Sequence, residues 1–439
     1  MSGMIQRIKI KNYKSLRDVD IKLQPLSVFF GPNAAGKSNF FDALQLLSRI
    51  ATSKTLKEAF EPPYRGKPLE SFSFGTGGLE GLLKEDAPSF SIEVDIELSR
   101  TTIDAVNKEI LESKRGQTEG SAGKRGIVEF IHHPLLRYRI EIEISPRSGL
   151  LRVADELVVA LGRDGQPKKS RPQPFIERVQ NRIRLRMEGQ SHPTYLERFL
   201  DHSVISRPHY APHHPHLTAL KRELQDWYFY YFEPRVSMRT ASGVKEVRHV
   251  GLMGEELSGF LNTLQNLEPR QFKAVEKAIH NLIPSITGIR TDVNKLGEVE
   301  LSLMEGDVAM PARVVSEGTL RVLGLLALSG VSDPPTLIGF EEPENGVHPR
   351  RIRDIAKILL TRAQSGTTQL FVTTHSPILP DHIPNESLYV CRKANGATSI
   401  EPFSDWGPLY RKAEIDSGLD DSSEDEKVSS RLLRGDFDA

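Results

Sequence analysis

The segment Gly31-Pro-Asn-Ala-Ala-Gly-Lys37-Ser38 meets the pattern G-x-x-x-x-G-K-[ST] at every fixed position. A short apolar run, residues 26–30, precedes it. After it, Phe40, Phe41, Leu44, Leu47 and Ile50 recur at helical spacing. Strand, glycine turn and helix in that order make a cradle for phosphate. The glycines let backbone N–H groups close around the anion, and the helix N-terminus adds partial positive charge. Lys37 is then placed to reach the β- and γ-phosphates, and Ser38 to ligate Mg²⁺. Gly31, Pro32, Asn33, Ala34, Ala35, Gly36, Lys37, Ser38 and Asn39 are the expected ATP contacts.

Three later segments have chemistry that fits this loop. Leu337-Ile-Gly-Phe-Glu341-Glu342-Pro-Glu344 is an apolar strand delivering adjacent carboxylates at its end, where open parallel sheets bind ligands. One carboxylate suits Mg²⁺, and the next suits a role in orienting or activating a water. By itself this is also an ordinary acidic turn, but beside a phosphate loop the functional reading is the stronger. Phe371-Val-Thr-Thr-His375-Ser376 is another apolar strand ending in hydroxyls and a histidine. A neutral imidazole there can hydrogen-bond a phosphate or a water, although a lone histidine after a strand is more often structural. Val315-Ser316-Glu317-Gly318-Thr319-Leu-Arg321 precedes a helical stretch. Its exposed N–H groups would form an anion site, or Ser316 would be a plain helix cap.

Composition limits the alternatives. Lys+Arg and Asp+Glu both number 58, so net charge predicts no nucleic-acid binding, while a local basic patch is still allowed. No apolar run reaches the roughly 20 residues of a membrane span, and the N-terminus has no secretory h-region. Cys391 is the single cysteine, so no intrachain disulfide is possible. A cytoplasmic location without membrane attachment is the expectation.

The order of the four pieces resembles the ATPase heads of the RecF/SMC type within the ABC superfamily. More narrowly, it resembles stand-alone bacterial ATPases whose Walker B segment reads EEPE-x-G-x-HP, here residues 341–349. The opening stretch with Asn12-Tyr13-Lys14-Ser15 is also similar to the start of those heads. The likeness covers about residues 4–50 and 312–392. It implies Lys37 and Ser38 as the Walker A lysine and metal ligand, Glu341 as the Walker B acid, Glu342 as the catalytic glutamate and His375 as the switch histidine. Ser316, Glu317 and Gly318 would be the signature, which in this family binds the γ-phosphate of ATP held by a second subunit. That implies a homodimer or higher oligomer with ATP sandwiched between heads. Lys14 is a further candidate for contact with the nucleotide. Two departures stand out. Position 341 is Glu where many relatives have Asp, and no glutamine lies between Gln45 and Gln117 to serve as the Q-loop residue.

The expected architecture is an α/β ABC-type head with a mixed or parallel sheet plus an inserted α+β arm. Residues 1–100 would carry Walker A and 101–300 the arm. Residues 301–412 would carry the signature, Walker B and switch histidine, and 413–439 would be an acidic, disordered tail. Residues 113–126 read as a flexible linker, 203–216 as irregular and 218–231 as a helix. Within the arm, Arg163, Lys168, Lys169, Arg171, Arg178, Arg182, Arg184 and Arg186 oppose only Asp164 and Glu177. This strip is either a DNA phosphate contact or a solvated or protein-docking face. His202, His209, His213, His214 and His216 are interrupted by prolines and lack nearby cysteine, which favours a His-rich loop over a metal site. Some relatives carry a TOPRIM-type nuclease after the head. The stretch following His375 is too short for one, so any nuclease is expected on a separate effector chain. The leading expectation is an ATPase that controls DNA engagement or such an effector, in anti-phage defence or DNA repair. The alternatives are a nucleotide-gated scaffold with little turnover and, more weakly, a transporter ATPase.

Overall fold

The computed structural model describes residues 3–75, 77–115, 130–168, 173–188, 192–197, 199–328, 334–406 and 427–437. Among them the chain builds three sheets. The central six-stranded sheet runs Trp227–Tyr230, Leu337–Glu341, Gln369–Thr374, Leu26–Phe30, Leu388–Ala394, Ala397–Pro402. The first five strands are parallel, and the last closes an antiparallel hairpin at one edge. Leu26–Phe30, Leu337–Glu341 and Gln369–Thr374 are buried at every position, as strands covered on both faces must be. Gly339 interrupts one of them because a Cβ there would come within 2.5 Å of the Phe229 ring.

The two faces of this sheet close two cores. On one, Phe29, Phe371 and Tyr389 pack against the helix Lys37–Thr52 and the helix Pro215–Gln225. On the other, Val28, Phe340 and Val372 meet Leu257–Leu267, Pro269–Leu282, Glu317–Ala327 and Pro349–Gln364.

An eight-stranded antiparallel sheet lies over the first core. It begins with Met4–Tyr13, Leu16–Lys22 and Ser89–Glu97, and Leu135–Ser145 and Leu150–Ala160 extend it. Strict alternation of buried and half-buried positions in Leu135–Ser145 marks a sheet with one face on the core. The outward face carries an ion-pair ladder in which Arg7 bonds Asp20 and Glu93, and Arg137 bonds Asp95. Gln369 rivets the two sheets together. Its side chain accepts from the Ile5 N–H at 2.8 Å and donates to the carbonyls of Ile5 and Gln24. A small antiparallel sheet, built on Gly288–Val293 and Glu298–Glu305, precedes the signature segment.

The α/β architecture with additional α+β elements is therefore present, and residues 101–300 are spread across all three sheets. Several local expectations need correction. Residues 218–231 are not one helix. The helix stops at Gln225, and Trp227–Tyr230 becomes the edge strand of the central sheet, paired with Leu337–Phe340. Asp226 makes the break, its carboxylate accepting from the Thr336 N–H at 2.8 Å. The polar stretch after residue 100 forms a helix, Arg100–Arg115, that buries Ile103, Val106 and Ile110; residues 116–126 of the expected linker lie outside the described residues. Residues 413–426 of the expected tail also lie outside them. Val428–Arg434, however, is helical, and Phe437 is fully buried. Its ring sits 5.4 Å from Phe30 and 5.4 Å from Trp406. Val428 is buried in the same core and Leu432 packs against it, so apolar burial docks the segment despite the acidic composition before it.

Phe437→Ala should therefore lower the unfolding free energy by about 3 kcal/mol, as cavity-forming Phe substitutions do. Urea denaturation checks this, and a loss below about 0.5 kcal/mol, the range of surface changes, would mean that the segment does not dock.

Candidate nucleotide site

The loop of residues 31–36 joins Leu26–Phe30 to the helix Lys37–Thr52. Gly36 has φ 97° and caps that helix. A Cβ there would lie 2.1 Å from Thr398 Oγ1, so the second loop glycine meets both the backbone and the packing requirement. Thr398 donates to the Ala35 carbonyl at 2.9 Å and shares a 2.7 Å hydrogen bond with Ser15, to which Asn39 Nδ2 donates at 2.7 Å. The N-terminal turn and the C-terminal hairpin thus brace the loop from behind. The sequence offered no signal for Thr398.

Lys37 points back into its own loop. Its Nζ donates to the Gly31 carbonyl at 2.7 Å and the Pro32 carbonyl at 2.8 Å, and lies 3.1 Å from His375 Nδ1. Burial holds the ammonium's pKa below the ordinary lysine value. An ammonium only donates, so Nδ1 is the acceptor and the imidazole proton sits on Nε2. That nitrogen is 2.7 Å from Glu342 Oε1. Lys37, His375 and Glu342 therefore form one polarised chain. The hydrogen bond from His375 holds the Glu342 carboxyl below the usual carboxylate range, against the opposing effect of burial. Glu342 adopts φ 49°, a conformation uncommon for a residue with a side chain.

Glu341 closes the strand Leu337–Glu341 and is 8% exposed. Ser38 Oγ lies 3.4 Å from its Oε2. A hydroxyl beside a carboxylate is the hard oxygen set that Mg²⁺ prefers, and adjacent octahedral ligands at about 2.1 Å from the metal stand roughly 3 Å apart. The pair fits Mg²⁺ with little adjustment. Arg65, unmarked by any motif, grips the same carboxylate through both terminal nitrogens and bonds Asp42 at 2.8 Å. Lys14 does not reach the loop itself; its Nζ donates to Asp42 at 2.7 Å. A cavity of about 700 Å³ opens between Lys14, Asn39, Arg65, Phe74 and Lys393. Glu344 is buried against Thr374, and burial pushes its carboxyl up.

Ser316 caps the helix Glu317–Ala327 by accepting from the Thr319 N–H at 3.2 Å, and is itself exposed. Gly318 backs onto Gly346, whose carbonyl oxygen would lie 2.3 Å from an added Cβ. Glu317 pairs with Arg235 at 3.0 Å. The signature residues thus adjoin the loop after Glu342.

The other sequence candidates sit elsewhere. Arg184 is neutralised by Glu177, Arg186 donates to the Gln173 carbonyl, and Lys169 and Arg171 lie outside the described residues. The histidines have structural partners. His216 Nδ1 meets Glu188 at 2.6 Å, and His209 Nε2 meets the Val204 carbonyl at 2.9 Å. Burial lowers the His209 pKa to about 4. Among the described residues, no group of His, Cys, Asp or Glu has a metal-binding arrangement, and no helix is long and apolar enough to cross a membrane.

Loop, carboxylates and histidine at the ends of adjoining parallel strands have the layout of a P-loop nucleotide site. Family comparisons agree. A family model described as "AAA ATPase domain" matches residues 4–139, and one described as "AAA domain, putative AbiEii toxin, Type IV TA system" matches residues 170–381. The chain is 22% identical over 408 residues to the OLD nuclease of Thermus scotoductus, covering 89% of this chain and 62% of that protein. Two solved structures share the fold. An Smc head bound to the C-terminal winged-helix domain of ScpA gives a TM-score of 0.50 at 12% identity, covering 90% of this chain and 97% of that one. The Pyrococcus furiosus Smc head with an extended coiled coil, bound to the C-terminal domain of ScpA, gives 0.50 at 9% identity, covering 94% and 100%. Two AAA ATPase family models thus match separate parts of the chain, and its fold is an ABC-type P-loop ATPase fold like that of the Smc heads.

Two titrations check the local electrostatics. In His375→Ala the Glu342 carboxyl should titrate at higher pH than in the parent, because the bond that favours its charged form is gone; carboxyl-carbon NMR reads this, and an unmoved titration would remove the His375–Glu342 link. Neutral, half-buried His209 contributes stability that is complete above its unfolded pKa near 6.5 and is lost as pH falls toward about 4. His209→Asn should flatten that part of a plot of unfolding midpoint against pH.

Proposed function

We propose that the chain binds ATP with Mg²⁺ and hydrolyses it at a site shared between two copies. The observation that carries this is the convergence of Lys37, Ser38, Glu341, Glu342 and His375 at the carboxyl ends of three adjacent parallel strands. The phosphates occupy the loop of residues 31–36, where Lys37 exchanges its carbonyl partners for phosphate oxygens. The nucleoside extends into the cavity beside Asn39 and Phe74, where Lys14 and Lys393 supply positive charge. Ser38 and Glu341 hold Mg²⁺, which neutralises phosphate charge. Glu342 leaves His375 to take a hydrogen bond from the attacking water, and His375 turns to the γ-phosphate. The free N–H groups at Ser316–Gly318 complete the site of a second copy.

Closing and opening of the heads then control DNA engagement or a partner effector such as a nuclease, in anti-phage defence or DNA repair. The likeness to a protein named as an OLD nuclease supports the nuclease setting. A nucleotide-gated scaffold with slow turnover is the second reading. The engagement of Glu341 by Arg65 favours it, since that bond must open before metal binds.

Glu342→Gln should cut phosphate release by about 100-fold or more while leaving ATP binding intact. Ser316→Arg should abolish ATP-dependent dimerisation, read by light scattering. Phosphate release by the parent chain, with DNA and without it, no faster than by Glu342→Gln would rule out turnover and leave the scaffold reading.

A further inference from the structure

We infer that Arg65 is a built-in counter-ion for Glu341, and that Mg²⁺ enters by displacing it. The inference rests on the nucleotide reading for the identity of the metal site, and its own evidence is the ion-pair geometry.

A carboxylate that is 8% exposed needs a compensating charge, because an unpaired buried anion is strongly unfavourable. Among the described residues, Arg65 supplies the ion pair to Glu341. The guanidinium spans both carboxylate oxygens, NH1 donating to Oε2 at 3.1 Å and NH2 to Oε1. Fork-to-fork pairing of this kind is the strongest that two side chains make. Oε2 is also the oxygen 3.4 Å from Ser38 Oγ. A metal held by Ser38 and Glu341 therefore competes with NH1 for the same oxygen.

The surroundings allow Arg65 to leave without being lost. Its Nε donates to Asp42 Oδ1 at 2.8 Å, and its own carbonyl accepts from Lys14 Nζ at 3.2 Å. Lys14 also holds the second Asp42 oxygen at 2.7 Å. Asp42 thus tethers Arg65 when Glu341 is given up. Space is available on both sides, because Arg65 borders a 260 Å³ cavity lined by Phe41, Phe229 and Tyr231 as well as the 700 Å³ cavity. The Arg65 side chain is 45% exposed, against 8% for that of Glu341, so the arginine is the partner that moves.

Lys14 and Arg65 balance Asp42 and Glu341. A divalent cation on Glu341 places two positive centres on one carboxylate, and the tethered arginine withdraws. Metal binding is then opposed by a competitor inside the chain, which lowers apparent affinity as any non-competent population does.

The test compares the parent chain with Arg65→Ala and Arg65→Lys. Mg²⁺ alone is titrated and read by thermal unfolding, and Mg²⁺ is then titrated at fixed concentration of a fluorescent ATP analogue. Arg65→Ala should unfold at lower temperature without metal, gain more from Mg²⁺, and bind Mg²⁺ about tenfold more tightly. Arg65→Lys, with one donor group in place of the fork, should fall between. Unchanged Mg²⁺ affinity in both variants would overturn the inference, and so would a fall, which would assign Arg65 to the nucleotide instead. Should the parent chain fail to bind the ATP analogue, the nucleotide reading falls, while the response to Mg²⁺ alone still decides the role of Arg65.

Discussion

The site depends on the parallel pairing of Leu26–Phe30 with Gln369–Thr374, two strands separated by most of the chain. Five consecutive register pairs, Leu26 with Leu370 through Phe30 with Thr374, fix how far each strand extends. Because both runs are buried on both faces, a slip would leave polar loop residues inside the sheet and apolar ones outside it. The register therefore sets the distance from Lys37 to His375, and the pairing of Leu337–Glu341 with Gln369–Thr373 sets that from His375 to Glu342. The chemistry requires side chains from both ends of the sequence, and three short strands align them.

Much of this was legible in advance because the site is written in local patterns. The loop glycines, the carboxylates after an apolar strand and the histidine after another each sit where a strand ends, and strand ends are where backbone pattern and chemistry coincide. Arg65 and Thr398 were not legible, since each acts on a residue far away in sequence and neither lies in a pattern. The strand Trp227–Tyr230 failed for a different reason. Its aromatic run follows a true amphipathic helix with one residue between, and composition alone does not show where helical spacing gives way to a buried edge. The tail shows a limit of composition arguments as well. Acidic content predicts disorder over a window, yet a few buried apolar side chains, Phe437 and Val428 among them, dock the segment that holds them.

The charged groups of the site satisfy one another. Lys37 is held by its own loop and by His375, Glu342 by His375, and Glu341 by Arg65. Each of these bonds joins a group proposed to act on nucleotide, metal or water to a partner inside the chain. These pairings are an ordered alternative to the contacts proposed for nucleotide and metal, so binding would exchange one set of charge-assisted bonds for another. The net gain is smaller than the sum of the new contacts, which suits a site that must release its product.

The contact between Gly318 and Gly346 joins two backbones with no side chain between them. Side chains absorb small displacements by changing rotamer, and a backbone-to-backbone contact lacks that freedom. The helix Glu317–Ala327 and the loop that follows Glu342 are therefore geared: a shift at the N-terminus of that helix would be felt four residues from the Glu342 carboxylate. Any side chain at position 318 would act as a wedge in that gear, forcing the two backbones apart beside Glu342.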